Sequence, residues 1–112
     1  MRVGIVGPCA SGKSTVARLL QEHGADAYAV AQEHSGVPDL WRRKDPDALI
    51  YLNASLDTIR ERRGNPQWPG WILDLQQERL RPARQQADLI VETDNVSPEA
   101  IVDRILSTLG SS

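Results

Sequence analysis

Residues 7–14 read Gly7-Pro8-Cys9-Ala10-Ser11-Gly12-Lys13-Ser14, an unbroken G-x-x-x-x-G-K-S, the Walker A pattern. Nothing else in the chain restricts its folding as much. A short apolar run, Val3-Gly4-Ile5-Val6, comes before it. A helical pattern follows from Ser14-Thr15, with Val16, Leu19 and Leu20 on one side. Strand, glycine-rich turn and helix in direct succession open an α/β unit. Gly7 and Gly12 permit a tight path that turns successive N–H groups inward as an anion nest. The start of the helix adds unpaired donors and partial positive charge.

These residue types fit a nucleoside triphosphate with Mg²⁺. Gly7, Pro8, Cys9, Ala10, Ser11 and Gly12 would lie at the phosphates, with the backbone of residues 8–14 cradling them. Lys13 would reach the β- and γ-phosphates as a mobile point charge. Ser14 would offer its hydroxyl to the metal, and Thr15 would lie near the α-phosphate. The expected cofactors are therefore ATP, or another nucleoside triphosphate, and Mg²⁺. Cys9 is a small filler in the loop, or a thiol activated by the helix N-terminus.

A length of 112 residues predicts one domain with a small core. The net charge of −2 argues against bulk electrostatic binding of nucleic acid. No apolar run is long enough to span a bilayer, and a strand begins almost at Met1, so neither a membrane anchor nor a cleaved leader is expected. The single cysteine fits a reducing cytoplasm, and no Cys/His spacing of a zinc module is present.

Strands are predicted at about 2–6, 27–31, 48–52 and 87–91. Helices are predicted from Lys13 to His23, after Ser55 to Gly64, over 71–86 with a break or kink near Pro82, and from Ser97-Pro98-Glu99 to Gly110. Residues 32–47 read as a loop with at most one helical turn, and 65–70 as a second loop. Alternation of this kind predicts a small doubly wound parallel sheet of about four strands, with helices on both faces and the ligand at the carboxyl ends of the strands.

Walker A, then Ala48-Leu49-Ile50-Tyr51-Leu52-Asn53-Ala54-Ser55, Arg60-Glu61-Arg62-Arg63-Gly64, Arg79-Leu80-Arg81-Pro82-Ala83-Arg84 and Ala87 to Glu99 together resemble the small-molecule kinases of the P-loop class, the nucleoside, nucleotide and shikimate-type kinases. The last third is most similar to the shikimate-type enzymes. The resemblance implies phosphoryl transfer from ATP to a small acceptor. It implies an arginine lid, Arg60, Arg62 and Arg63, stabilising the transferring phosphoryl group. It also implies that Thr93, Asp94, Asn95 and Val96 meet the adenine edge. The same lid arginines also suit the dipole at a helix end, and Arg79, Arg81 and Arg84 a polar helix face.

Two features depart from that family. Only residues 25–47 fill the interval that normally holds a further strand and the acceptor-binding domain. No buried strand ends in Asp, since the one at Leu52 ends in Asn53. Glu33, at the end of the second strand, is the substitute, as a ligand to a metal-bound water or as a base; Asp39 is the second choice. His34 is a weak proton relay candidate. Trp41, Trp68 and Trp71 would floor a pocket, cover a thin core or form a homodimer face. The alternative function is a nucleotide-binding or slowly hydrolysing module without an acceptor.

Overall fold

The computed structural model describes residues 1–110. The strand before the glycine-rich turn is β1 (Arg2–Val6), followed by α1 (Lys13–Glu22) and β2 (Asp26–Ala29). Two 3-10 turns, Gln32–His34 and Leu40–Arg42, lead to β3 (Ala48–Asn53). Then come α2 (Leu56–Arg63), α3 (Gly70–Gln86), β4 (Leu89–Glu92) and α4 (Pro98–Leu109).

Side-chain alternation explains the layering. In β3, Ile50 and Leu52 face one core, and Leu49 and Tyr51 face the other. A strand buried on both sides must be central and covered by helices. The sheet is all parallel, in the order β2-β1-β3-β4. Ile5 stands opposite Ile50, which stands opposite Leu89. One face packs against α1 through Val16 and Leu20, and against α4 through Ile101, Val102 and Ile105. The other packs against Leu80 and Ala83 of α3, with Leu40 and Trp41 alongside. Each fully buried Leu or Ile contributes roughly 1.5–3 kcal/mol. Among the described residues no helix is long and apolar enough to cross a membrane.

Helix ends follow their local chemistry. Ser55 Oγ accepts from the Thr58 N–H, and Gly64 closes α2 at φ 64°. Ser97 Oγ accepts from the Ala100 N–H, with Pro98 in the first turn. Four expectations need correction. Residues 32–47 carry two 3-10 turns, Gln32–His34 and Leu40–Arg42, rather than at most one helical turn. The fourth strand begins at Leu89, not at 87, because Asp88 turns its carboxylate onto the Leu49 N–H at 2.8 Å. The second strand ends at Ala29, although the Val30 N–H still reaches the Ile5 carbonyl at 2.8 Å. Helix α3 runs through Pro82 without interruption. The ring removes one helical donor, but Leu80 and Ala83 beside it are fully buried and hold the helix to the sheet.

The strand order reverses at β1 and β3. From β1 the chain moves outward to β2, and from β3 it moves the other way to β4. A crevice therefore opens at the carboxyl ends of these two central strands. Residues 7–12 lie in it, and a third apolar cluster of Ala54, Ile59, Trp68 and Leu73 closes its side, with Cys9 and Ala10 packed against it.

Candidate functional site

Gly7 leaves β1 against the neighbouring strand. A Cβ there would lie 2.3 Å from the Leu52 carbonyl oxygen and 2.7 Å from Ser11 Oγ, so only glycine fits. At Gly12 a Cβ would meet open space, and its φ of 95° is what excludes other residues. Ala10 also takes a left-handed backbone, at φ 58°. Together these turn the chain sharply into α1, whose N-terminus has no side-chain cap. Ser14 and Thr15 present exposed hydroxyls in its first turn.

Lys13 folds back over the loop. Its ammonium donates to the carbonyls of Gly7 (2.9 Å) and Pro8 (3.1 Å) and to Glu33 Oε2 (2.5 Å). The Lys13 and Glu33 side chains are only 11% and 5% exposed. In that setting water screens the pair weakly, and losing one partner would leave an uncompensated charge. Glu33 Oε1 is buried without a partner, as is Ser11 Oγ. The 3-10 turn that follows β2 sets the Glu33 position, and Arg79 Nη1 donates to its carbonyl at 3.4 Å.

The three arginines expected to form a lid separate. Arg62 Nη1 donates to the Ala10 carbonyl (2.9 Å) and Thr93 Oγ1 (3.2 Å), and its Nη2 donates to the Thr93 carbonyl (2.9 Å). Arg62 thus ties the glycine-rich loop to the segment after β4. Arg60 donates instead to the Trp68 carbonyl (2.9 Å), and the Arg63 guanidinium lies over the Trp68 ring, 5.7 Å from its centroid. Thr93 is buried, and its Oγ1 donates to the Asn53 carbonyl at 2.8 Å. Asp94 accepts the Ser55 N–H at 3.0 Å. That bond, aided by the Ser55 and Thr58 side chains and Arg62, holds its carboxyl below the usual carboxylate range. A cleft of about 370 Å³ lies between the loop and this segment, lined by Ser11, Gly12, Thr15, Arg62, Val96 and Ile101. A smaller one of about 210 Å³ shares Arg62 and Val96 and adds Asn95.

Other candidates sit apart. Asp39 is exposed at the start of the second 3-10 turn. The Asn53 amide donates to the Glu92 carboxylate. Trp68 is core, Trp41 packs half-buried near α3, and Trp71 is 66% exposed, so the three do not form one floor. Gln76 was absent from the sequence candidates. Its Oε1 accepts the Cys9 N–H at 3.0 Å, and its Nε2 donates to Cys9 Sγ at 3.0 Å. It falls in step with Leu73, Leu80 and Ala83 on the buried stripe of α3. A polar residue on such a stripe needs a partner, and that was the signal available.

The residues present fit a magnesium-bound triphosphate. The open space at Gly12, an uncapped helix start, two exposed hydroxyls and a lysine at its mouth have the chemistry that an anion would need. Ser14 and Glu33 would supply oxygen donors of the kind Mg²⁺ prefers. No protein-family model matches the chain, and no curated protein matches it.

Proposed function

We propose that the chain is a P-loop nucleotide-binding domain of the small-molecule kinase type. It would bind Mg·ATP, or another nucleoside triphosphate, through residues 7–15 and pass the γ-phosphoryl group to a small acceptor. The observation that carries this reading is Lys13, whose nearly buried ammonium is held by two loop carbonyls and Glu33 at the mouth of an uncapped helix. A phosphate oxygen is an acceptor of the same kind with more charge, so it can replace the carbonyls without leaving the ammonium unpaired.

In this reading the loop N–H groups and Lys13 hold the phosphates, and Ser14 and Glu33 hold the metal and its water. When bound, Mg²⁺ neutralises charge developing on the phosphate oxygens. Glu33, freed from Lys13, orients a water or takes the acceptor proton on its buried carboxylate. Arg62 stands at the cleft beside Thr15 and Val96, the space suited to the nucleoside. Arg60 and Arg63 would need to leave Trp68 to reach a phosphate.

A second reading, a nucleotide-binding or slowly hydrolysing module, is favoured by one observation. Residues 30–47, between β2 and β3, hold only two single 3-10 turns and no acceptor-binding domain. Calorimetry with Mg·ATP tests the binding step. Lys13→Ala is expected to weaken affinity about 10–100-fold, the worth of a charged hydrogen bond, and equal affinity in both proteins refutes it. A γ-phosphate transfer screen over nucleosides, nucleotides and small alcohols separates the two readings, with hydrolysis alone favouring the module.

A further inference from the structure

We propose that Cys9, Glu33 and His34 form a second site beside the glycine-rich loop, for a divalent transition metal, with Zn²⁺ as the ion it fits best. The three residues come from two loops at the carboxyl ends of β1 and β2. Cys9 Sγ lies 3.7 Å from His34 Nε2, which lies 3.8 Å from Glu33 Oε2. All three ligand atoms fall within 4.8 Å of one another. Zinc–sulfur bonds of about 2.3 Å and zinc–nitrogen or –oxygen bonds of about 2.0–2.1 Å set tetrahedral edges of roughly 3.3–3.6 Å. The two edges that meet at His34 Nε2 therefore need to contract only slightly, and the His34 side chain, 59% exposed, is free to move inward; the Cys9–Glu33 edge, within 4.8 Å, closes as the ion draws Glu33 from Lys13.

The surroundings suit a metal. Gln76 fixes Cys9 through its N–H and also donates to Sγ, the kind of outer contact that orients a ligating thiolate. Glu33 is buried with Oε1 unpartnered, so its carboxylate keeps acceptor capacity beyond the Lys13 bond on Oε2. One thiolate and one carboxylate neutralise the ion, and the thiol proton leaves to solvent on binding. Three protein ligands leave the fourth position open to water or another oxygen ligand. Thiolate and imidazole together select against Mg²⁺ and Ca²⁺, which take oxygen.

The metal site stands on these distances alone; its consequence rests on the function proposed above. Glu33 cannot serve both sites. An ion on Oε2 draws the carboxylate from Lys13 and from Mg²⁺-dependent chemistry, so zinc acts as a brake on turnover.

The test uses the full chain, stripped with chelator and free of nucleotide. Zn²⁺ titrated against a chromophoric chelator should show one tight equivalent. Co²⁺ should give a thiolate-to-metal charge-transfer band in the near ultraviolet that Cys9→Ala abolishes. His34→Ala, at an exposed position outside the core, should weaken zinc about tenfold or more. A cobalt complex lacking the thiolate band, or zinc affinity unchanged in both variants, overturns the site. Mg·ATP calorimetry on the same stripped protein judges the nucleotide reading separately, since its failure leaves the metal titration intact. Turnover undiminished with zinc bound overturns the brake.

Discussion

Lys13 and Glu33 form an ion pair removed from water, and each side chain has a second demand on it. Lys13 also serves two carbonyls, and Glu33 keeps one oxygen without a partner. Under the proposed function, the Glu33→Gln variant should lower kcat by about 10²–10⁴-fold, the usual contribution of an oriented base, and lower Mg·ATP affinity far less, because the amide oxygen can still accept from a metal-bound water. Steady-state kinetics beside calorimetry checks this; intact turnover would shift attention to Asp39. Asp94 gives a pH prediction. The Ser55 N–H, first among its partners, holds this carboxyl below its unfolded range. Its contribution to stability is present above that range and is lost as pH falls through the lowered value. The group is largely solvated, so the effect is small. Denaturant melts should find Asp94→Asn slightly less stable than wild type at pH 7 and no less stable near pH 2. A deficit that stays constant across pH would contradict the assignment.

Helix α2 is short, largely polar, and carries Arg62 to the loop. Eight residues are too few for a helix to hold itself in water, so its ends and its one buried side chain, Ile59, must fix it. Ser55 caps it, and the Ser55 N–H is tied to Asp94 beyond β4. Removing the hydroxyl with Ser55→Ala should cost about 1 kcal/mol, within the usual range for caps. Urea unfolding measures that cost. Because the same turn aims Arg62, nucleotide affinity should fall as well under the proposed function. A stability loss with unchanged affinity would mean that Arg62 is aimed by Thr93 rather than by its helix. The pattern around α2 was legible in advance, with Ser55 before it and Gly64 after it. Its partner Asp94 was not, because a side chain that crosses from another strand leaves no trace in local spacing.

At the scale of the whole molecule, all four strands direct their carboxyl ends to one edge, and every loop of the candidate site sits there. The connection between α2 and α3 flanks that edge. Trp68 anchors it, whereas its other residues from Gly64 to Gln67 are exposed and Trp71 stands outward. A segment held by one buried side chain opens locally more easily than the strands beneath it. Under the proposed function, hydrogen exchange over 64–71 should slow when Mg·ATP saturates the protein, as bound phosphate draws Arg60 and Arg63 over the loop and orders the segment between them and Trp71. Unchanged protection at saturation would remove the lid role from these arginines.

By itself the sequence determined the kind and order of the main strands and helices and the glycine-rich turn, though not every boundary. Period-2 and period-3.6 patterning set strands against helices, and Gly7 and Gly12 fixed the turn because no other residue tolerates Leu52 at 2.3 Å or a φ of 95°. Glu33 was readable as an acid beyond the second strand, and the 3-10 turn after Ala29 sets it against Lys13. What only the tertiary structure decided was who meets whom. The β2-β1-β3-β4 order brings Cys9 to Gln76 and His34, residues 67 and 25 positions away. Helix α2, capped by Ser55, sends Arg62 to the loop but leaves Arg60 and Arg63 at Trp68. Pairings of that kind arise from packing between distant segments, and single-chain periodicity carries information only about neighbours on the same element.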